Sequence, residues 1–268
     1  MIRPVRLRRA IIALVTLTAL YGITAQIAHS HLPSRIWMGA HYIDNLQLLP
    51  TFGSLGEEAS YLIESRILPD SALASSRRVL LGLLVGSLAG ILLGLATGWA
   101  VLLEYIVDPF VSFFRFTPAL ALLPLFVIWF GYGETSKVLL IAASVAVITH
   151  LGAHQGVRRV PRVYLEAAVA LGARPWLRFR KVVLPLAFPS IFASVRVATG
   201  LAWVTIVVAE LIDAKMPSLG YLLALSGTYP RVPTMLIAIA TIGSLVLLFD
   251  LLALLVHARA TRWMRRAG

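Results

Sequence analysis

The chain has 268 residues, of which 59% are apolar and only 13% charged, and its mean hydropathy of +0.86 lies far above that of a soluble domain. It carries no cysteine, which excludes disulfides and thiolate metal sites and leaves the redox compartment unread. The net charge of +12 does not describe a nucleic-acid surface, because the basic residues sit at the ends of apolar runs, where membrane orientation is written.

Apolar runs of about 18 residues or more recur, and each is long enough to cross a hydrocarbon layer of roughly 30 Å. Lipid offers the backbone no partner, so a span must be helical, and the alternation a β-barrel needs is absent. The expected fold is all-α and integral to the membrane, with six transmembrane helices at 11–28, 79–103, 110–130, 138–156, 186–212 and 235–256. With the N-terminus inside, fifteen of the 24 Lys and Arg fall on the cytoplasmic side and seven outside, with Arg115 and Arg196 in spans. That asymmetry predicts both termini in the cytoplasm, although Arg77 and Arg78 fall on the unfavoured side.

The first run, in residues 1–28, has a basic start and small residues near Ala25 and Ala28, as a cleaved signal does. Its full-span length is read as a transmembrane helix. Residues 29–76 form an outer, periplasmic segment broken by Pro33, Pro50 and Pro69, with a short surface helix expected over 53–68. The membrane core is expected over 77–256. Its first span carries Gly82, Gly86, Gly90, Gly94 and Gly98, one every four residues. Such a stripe lets another helix approach closely, from this chain or a second copy.

In the next span, Arg115 and Thr117 precede Pro118 and Pro124, which would bend it; Arg115 either lines a pathway or snorkels to the cytoplasmic end. His150 stands alone and reads as a packed, hydrogen-bonded histidine. Neither a metal-spaced His/Asp/Glu cluster nor a Ser-His-Asp set occurs, so no catalytic residue is assigned. The fifth span places Arg196, Trp203 and Glu210 at seven-residue steps along one helix face, with Thr199 beside them. Ionisable groups inside spans are functional candidates. Arg196 either offers a planar fork to an anion or pairs with Asp250 across the bundle. Glu210 lies near the outer end, as a gate, a partner contact or a ligand.

Between the fourth and fifth spans, residues 157–185 interrupt the apolar pattern. A short helix is expected over 166–171, ended by Gly172 at positive φ and by Pro175, and a second over 176–183, closed by Leu184 and Pro185. Two short helices meeting at a glycine make a compact knob. The basic residues Arg174, Arg178, Arg180 and Lys181 either touch a partner or hold the loop in the cytoplasm. A basic cytoplasmic tail, 257–268, ends the chain.

The knob resembles the EAA loop of bacterial ABC importer permeases. It reads Glu166-Ala167-Ala168, three residues, Gly172, nine residues, then Val182-Val183-Leu184-Pro185, with valine where the pattern has isoleucine. The resemblance runs from about residue 49 to the C-terminus. "LALLPLFVIWFGYGETSK" (120–137), "GLAWVTIVVAEL" (200–211) and "LGYLL" (219–223) are similar to the nitrate, sulfonate and taurine branch. Two departures stand out: "RFTPA" (115–119) where the branch has Arg-Pro-x-Pro-Pro, and Ser218-Leu219-Gly220-Tyr221 where it has Gly-Leu-Gly-Tyr. Residues 29–47 look like extra length.

The resemblance implies a type I importer fold in the bacterial inner membrane, a second permease copy as a homodimer, two ATPase subunits and a periplasmic substrate-binding protein. It assigns Glu166, Ala167, Ala168, Gly172, Leu184 and Pro185 to ATPase coupling, and leaves Arg115, Thr117, Arg196, Thr199, Trp203 and Glu210 as pathway candidates. It implies no cofactor on this chain, with ATP and Mg on the partner ATPase. The chain has no G-x-x-x-x-G-K-[ST] phosphate loop of its own, so it is expected to be a transport subunit and not an enzyme. The expected cargo is a small anion, a sulfonate or taurine first, nitrate or a carboxylate next. The alternative, an ion-gradient-driven transporter, would show broken spans with intramembrane carboxylates.

Overall fold

The computed structural model describes residues 35–38, 41–44, 50–213, 215–229 and 231–260. The expected first span, 11–28, lies outside them, as do most of the extra segment 29–47 and the end of the basic tail. The chain divides into two units, Met1–Asp70 with Leu222–Thr241, and Ser71–Tyr221 with Ile242–Gly268.

The first unit opens with a two-stranded antiparallel hairpin, β1 (Arg35–Met38) and β2 (His41–Asp44), in which Arg35 is registered with Asp44. Helix α1 (Phe52–Glu64) is capped by Thr51, whose hydroxyl accepts from the Ser54 amide at 3.3 Å. Within this unit the Thr234 hydroxyl donates to Glu58 at 2.5 Å. The surface helix stops short of the expected residue 68, because Arg66 takes a φ of +61° and turns the chain.

Helix α2 (Ile67–Trp99) starts directly after that turn, well before residue 79. It ends where Ala100 becomes extended, so residues 101–103 belong to α3 (Val101–Phe116). Helices α4 (Ala119–Phe130) and α5 (Glu134–Arg158) follow. The expected single span 110–130 is therefore broken: α3 and α4 are bent by 107°. Proline at 118 has no N–H and confines the residue before it to extended backbone, and Thr117 indeed sits at φ −83°, ψ 121°.

Next come α6 (Arg162–Ala170), α7 (Pro175–Arg178), a five-residue π-turn (Phe179–Val183) and α8 (Leu184–Ile212). Leu184 and Pro185 do not close the second knob helix. The helix runs on from Pro175 to Ile212, because the wider π-turn, with the Leu184 N–H reaching back to the Phe179 carbonyl, lets the chain accommodate a proline that lacks its own donor. Helices α9 (Leu219–Thr228) and α10 (Val232–Ala260) complete the described chain.

Among the described residues four helical runs are long and apolar enough to cross a membrane: α2, α5, Pro175–Ile212 and α10. The bent α3–α4 pair makes a fifth only if counted as one span. Within the second unit, Ala153, Val157, Val160, Val183, Ala187 and Ile191 form one apolar cluster where α5 meets α8. Leu123, Phe126, Leu140 and Ala209 join α4, α5 and α8 in another.

Candidate functional site

The glycine stripe faces α5. A Cβ on Gly82 would lie 2.5 Å from Ile141, on Gly86 2.4 Å from the Ala142 carbonyl, and on Gly90 2.2 Å from the Thr149 hydroxyl. On Gly94 it would meet the His150 carbonyl at 2.3 Å, and on Gly98 the Val157 side chain at 2.7 Å. Real Cβ atoms do not come so close, so the two backbones touch along the whole stripe. At its far end Thr97 Oγ1 lies 3.0 Å from His150 Nε2 and 3.2 Å from His154 Nδ1. Glu104 of α3 then bridges His154, at 3.4 Å, and Arg158.

Towards the opposite end of α2, a charge cluster, buried except for Glu134, ties four helices and a loop together. Arg78, 4% exposed, reaches Glu210 of α8 at 2.7 Å and Glu134 of α5 at 2.5 Å, and donates to the Pro217 carbonyl at 3.2 Å. Glu210 is fully enclosed; the Ser75 hydroxyl lies 2.9 Å from both its oxygens, and the Gly220 amide donates to it at 3.0 Å. Gly220 has to be glycine here, since a Cβ would lie 2.4 Å from that of Glu210. Beside the cluster, the buried Lys137 ammonium contacts the Asp213 carboxylate at 3.0 Å and its carbonyl at 3.1 Å. Sequence spacing singled out Glu210 but missed Arg78, Ser75 and Glu134 as its companions. Arg78 on the unfavoured side of the charge count was the one available signal.

The expected polar stripe on α8 does not share one environment. Arg196 is half-exposed and forms a two-bonded pair with Asp250 of α10, at 2.5 and 2.7 Å. Trp203 is buried edge-on against Phe249, and Thr199 is buried and donates back to the Val195 carbonyl. Phe192, Arg196, Gly200, Asp250 and His257 line a cleft of about 530 Å³. Arg115 and Thr117 lie elsewhere, at the α3–α4 break, where they line a separate cavity of about 210 Å³ with Ser144 and Leu201.

The knob is built on its spacing. Where α6 ends, the Gly172 N–H donates to the Val169 carbonyl at 2.9 Å and the Ala173 N–H to the Ala168 carbonyl at 2.9 Å. That paired closure requires a left-handed residue after the last helical turn, and Gly172 supplies it at φ +72°. The four-residue step from Ala168 to Gly172 is thus the step of the motif itself. Pro175 then opens α7, where its missing N–H costs nothing. Glu166 and Ala167 are exposed, and so are Val163, Tyr164, Val169, Leu171 and Trp176 around them. Trp176 stacks on Phe179, which packs edge-on against Trp99 of α2.

The model of the binding-protein-dependent transport system inner membrane component family matches residues 86–265, which include the knob and both ends of the glycine-faced α5. The chain belongs to that family. This permease is 36% identical over 211 residues to a probable ABC transporter permease of Brucella abortus strain 2308, covering 79% of this chain and 84% of that one. It is 38% identical over 190 residues to the taurine transport system permease of Escherichia coli K12, covering 71% and 69%. In structure it is similar to the inward-facing MetNI methionine ABC transporter, with a TM-score of 0.65 at 18% identity, covering 73% of this chain and 97% of that one. That last likeness concerns the fold, and it is the type I importer permease fold.

Proposed function

We propose that this permease is the membrane subunit of an ATP-driven importer for a small organic anion, sulfonates first, delivered by a periplasmic binding protein. The observation that carries the reading is the knob: a left-handed turn at Gly172 presenting Glu166 beside an exposed apolar surface of Tyr164, Val169, Leu171 and Trp176. Charge and exposed apolar area together suit a groove on a soluble ATPase, and the chain holds no phosphate loop of its own. The cargo class is supported by the similarity to a permease named for taurine, an aminosulfonate. Two copies of the chain side by side would give each ATPase one knob. Arg196, Thr199, Trp203 and Glu210 then act as elements that move with α8 when the knob moves, since α7, the π-turn and α8 are one continuous helix.

Affinity-tagged chain recovered from mildly cross-linked native membranes should bring down an ATPase and a periplasmic binding protein. Recovery of the chain alone, or only with itself, would overturn the reading. Glu166→Ala is expected to insert normally yet leave ATP hydrolysis uncoupled from uptake. Normal uptake in that variant would remove the docking role from Glu166.

A further inference from the structure

We propose that the cavity at the α3–α4 break is an anion-binding waypoint within the membrane, with Arg115 as its charged group; this rests on the anionic cargo proposed above. The cavity is level with the middle of two helices long and apolar enough to span a membrane. Ser144 and Val147 are near the middle of α5 and Leu201 is near the middle of α8, and all three line it together with Arg115, Thr117 and Pro118.

Three observations converge there. First, Arg115 is exposed and, among the described residues, forms no ion pair; its guanidinium instead rests 4.6 Å from the centre of the Phe116 ring. The other arginine among the pathway candidates, Arg196, is paired with Asp250, so of these two described arginines Arg115 alone keeps its charge available. An unneutralised arginine at this depth is costly in hydrocarbon and is tolerated facing water or a ligand. Second, the backbone is non-helical at Thr117 and Pro118, which a membrane permits only where the break is buried in protein or lines a wet cavity.

Third, the break turns the start of α4 towards the same space: Ala119, its first residue, lines the cavity, and the first amides of a helix lack intrahelical partners. The hydroxyls are already committed. Thr117 donates to the Phe113 carbonyl at 2.8 Å and Ser144 to the Leu140 carbonyl at 2.9 Å. Donors for an anion therefore come from the planar fork of the guanidinium and from the amides of Ala119 and Leu120, since the Ala121 amide is already taken by the Pro118 carbonyl at 2.9 Å. A volume of about 210 Å³ suits a compact anion such as a short alkylsulfonate and leaves no room for a large cofactor.

The absence of native cysteine allows a direct test on the full chain in native membrane vesicles. Ser144→Cys places one thiol in the cavity. Its reaction rates are measured with sulfonatoethyl methanethiosulfonate, an anion, and with trimethylammonioethyl methanethiosulfonate, a cation. Adding Arg115→Gln should lower the anion-to-cation rate ratio by about tenfold, the effect of one charge a few ångströms away in a partly wet site; adding Arg115→Lys should leave most of it. An unchanged ratio, or no reaction with either reagent, would overturn the proposal. Uptake of labelled taurine by cells carrying the unaltered chain is read in parallel. A ratio that falls without taurine or alkylsulfonate uptake keeps the site and removes the cargo reading, whereas uptake with an unchanged ratio does the reverse.

Discussion

Glu210 illustrates how much a single buried charge depends on its neighbours. Its carboxylate is fully enclosed and receives Arg78, Ser75 and the Gly220 amide, so both of its oxygens have donors inside the chain. A buried pair of this kind adds little net stability, but stripping Glu210 leaves the buried Arg78 with only the solvent-facing Glu134 as its counter-charge. Glu210→Ala should therefore cost about 3–5 kcal/mol, seen as a large drop in the thermal unfolding midpoint of the detergent-purified protein. Adding Arg78→Met to that variant should restore part of the loss; a double variant as unstable as the sum of the two single changes would refute the coupling. A seven-residue spacing told from the sequence that Arg196, Trp203 and Glu210 share a face of α8. It could not tell what packs on that face, because Ser75, Arg78, Glu134 and Asp250 arrive from three other helices. The same limit hid the free state of Arg115, whose significance appears only once Arg196 is seen to be paired.

At the level of elements, periodic signals carry through to the structure and proline signals do so in part: the bend expected at Pro118 and Pro124 falls at Pro118, while Pro124 stays inside α4. Five glycines in register announced a close helix contact, and the structure supplies α5 as the neighbour, from the same chain. Gly90→Ala forces a methyl group to within 2.2 Å of Thr149 Oγ1 and 2.3 Å of the Ala146 carbonyl, one of them backbone that cannot move alone. We expect it to destabilise by about 1–3 kcal/mol, as overpacking does. Gly243→Ala in α10 is the matched control: among the described residues nothing lies within 4 Å of its added Cβ. There the change should stabilise by roughly 0.5–1 kcal/mol through helix propensity. Unfolding midpoints moving the same way for both would mean that the stripe is not a contact. Prolines carry no such one-to-one reading. Pro118 breaks the helix inside what hydropathy reads as one span, while Pro185 stays within a helix that widens into a π-turn before it. Hydropathy is blind to the first and a stop-signal rule mistakes the second, since both outcomes depend on what the freed carbonyls meet.

For the molecule as a whole, the orientation in the membrane decides which partner each surface can meet. Seven basic residues between Arg158 and Lys181 cluster at the knob end of α5, against the single Lys137 near its other end. Retaining such a cluster on the cytoplasmic side is the strongest topological determinant this chain has. It predicts that the knob is inside and the Gly131–Gly133 corner outside. Leu171, 88% exposed on the knob, and Tyr132, 74% exposed in the corner, mark the two ends. In an otherwise cysteine-free chain, Leu171→Cys should react with a membrane-impermeant maleimide in inside-out vesicles and not in intact spheroplasts. Tyr132→Cys should show the opposite. Both thiols reacting from the same side would mean that α5 does not cross the bilayer. A full reversal would put the Glu166 surface in the periplasm, where no ATPase can reach it, and its exposed apolar face would then have to serve the binding protein instead.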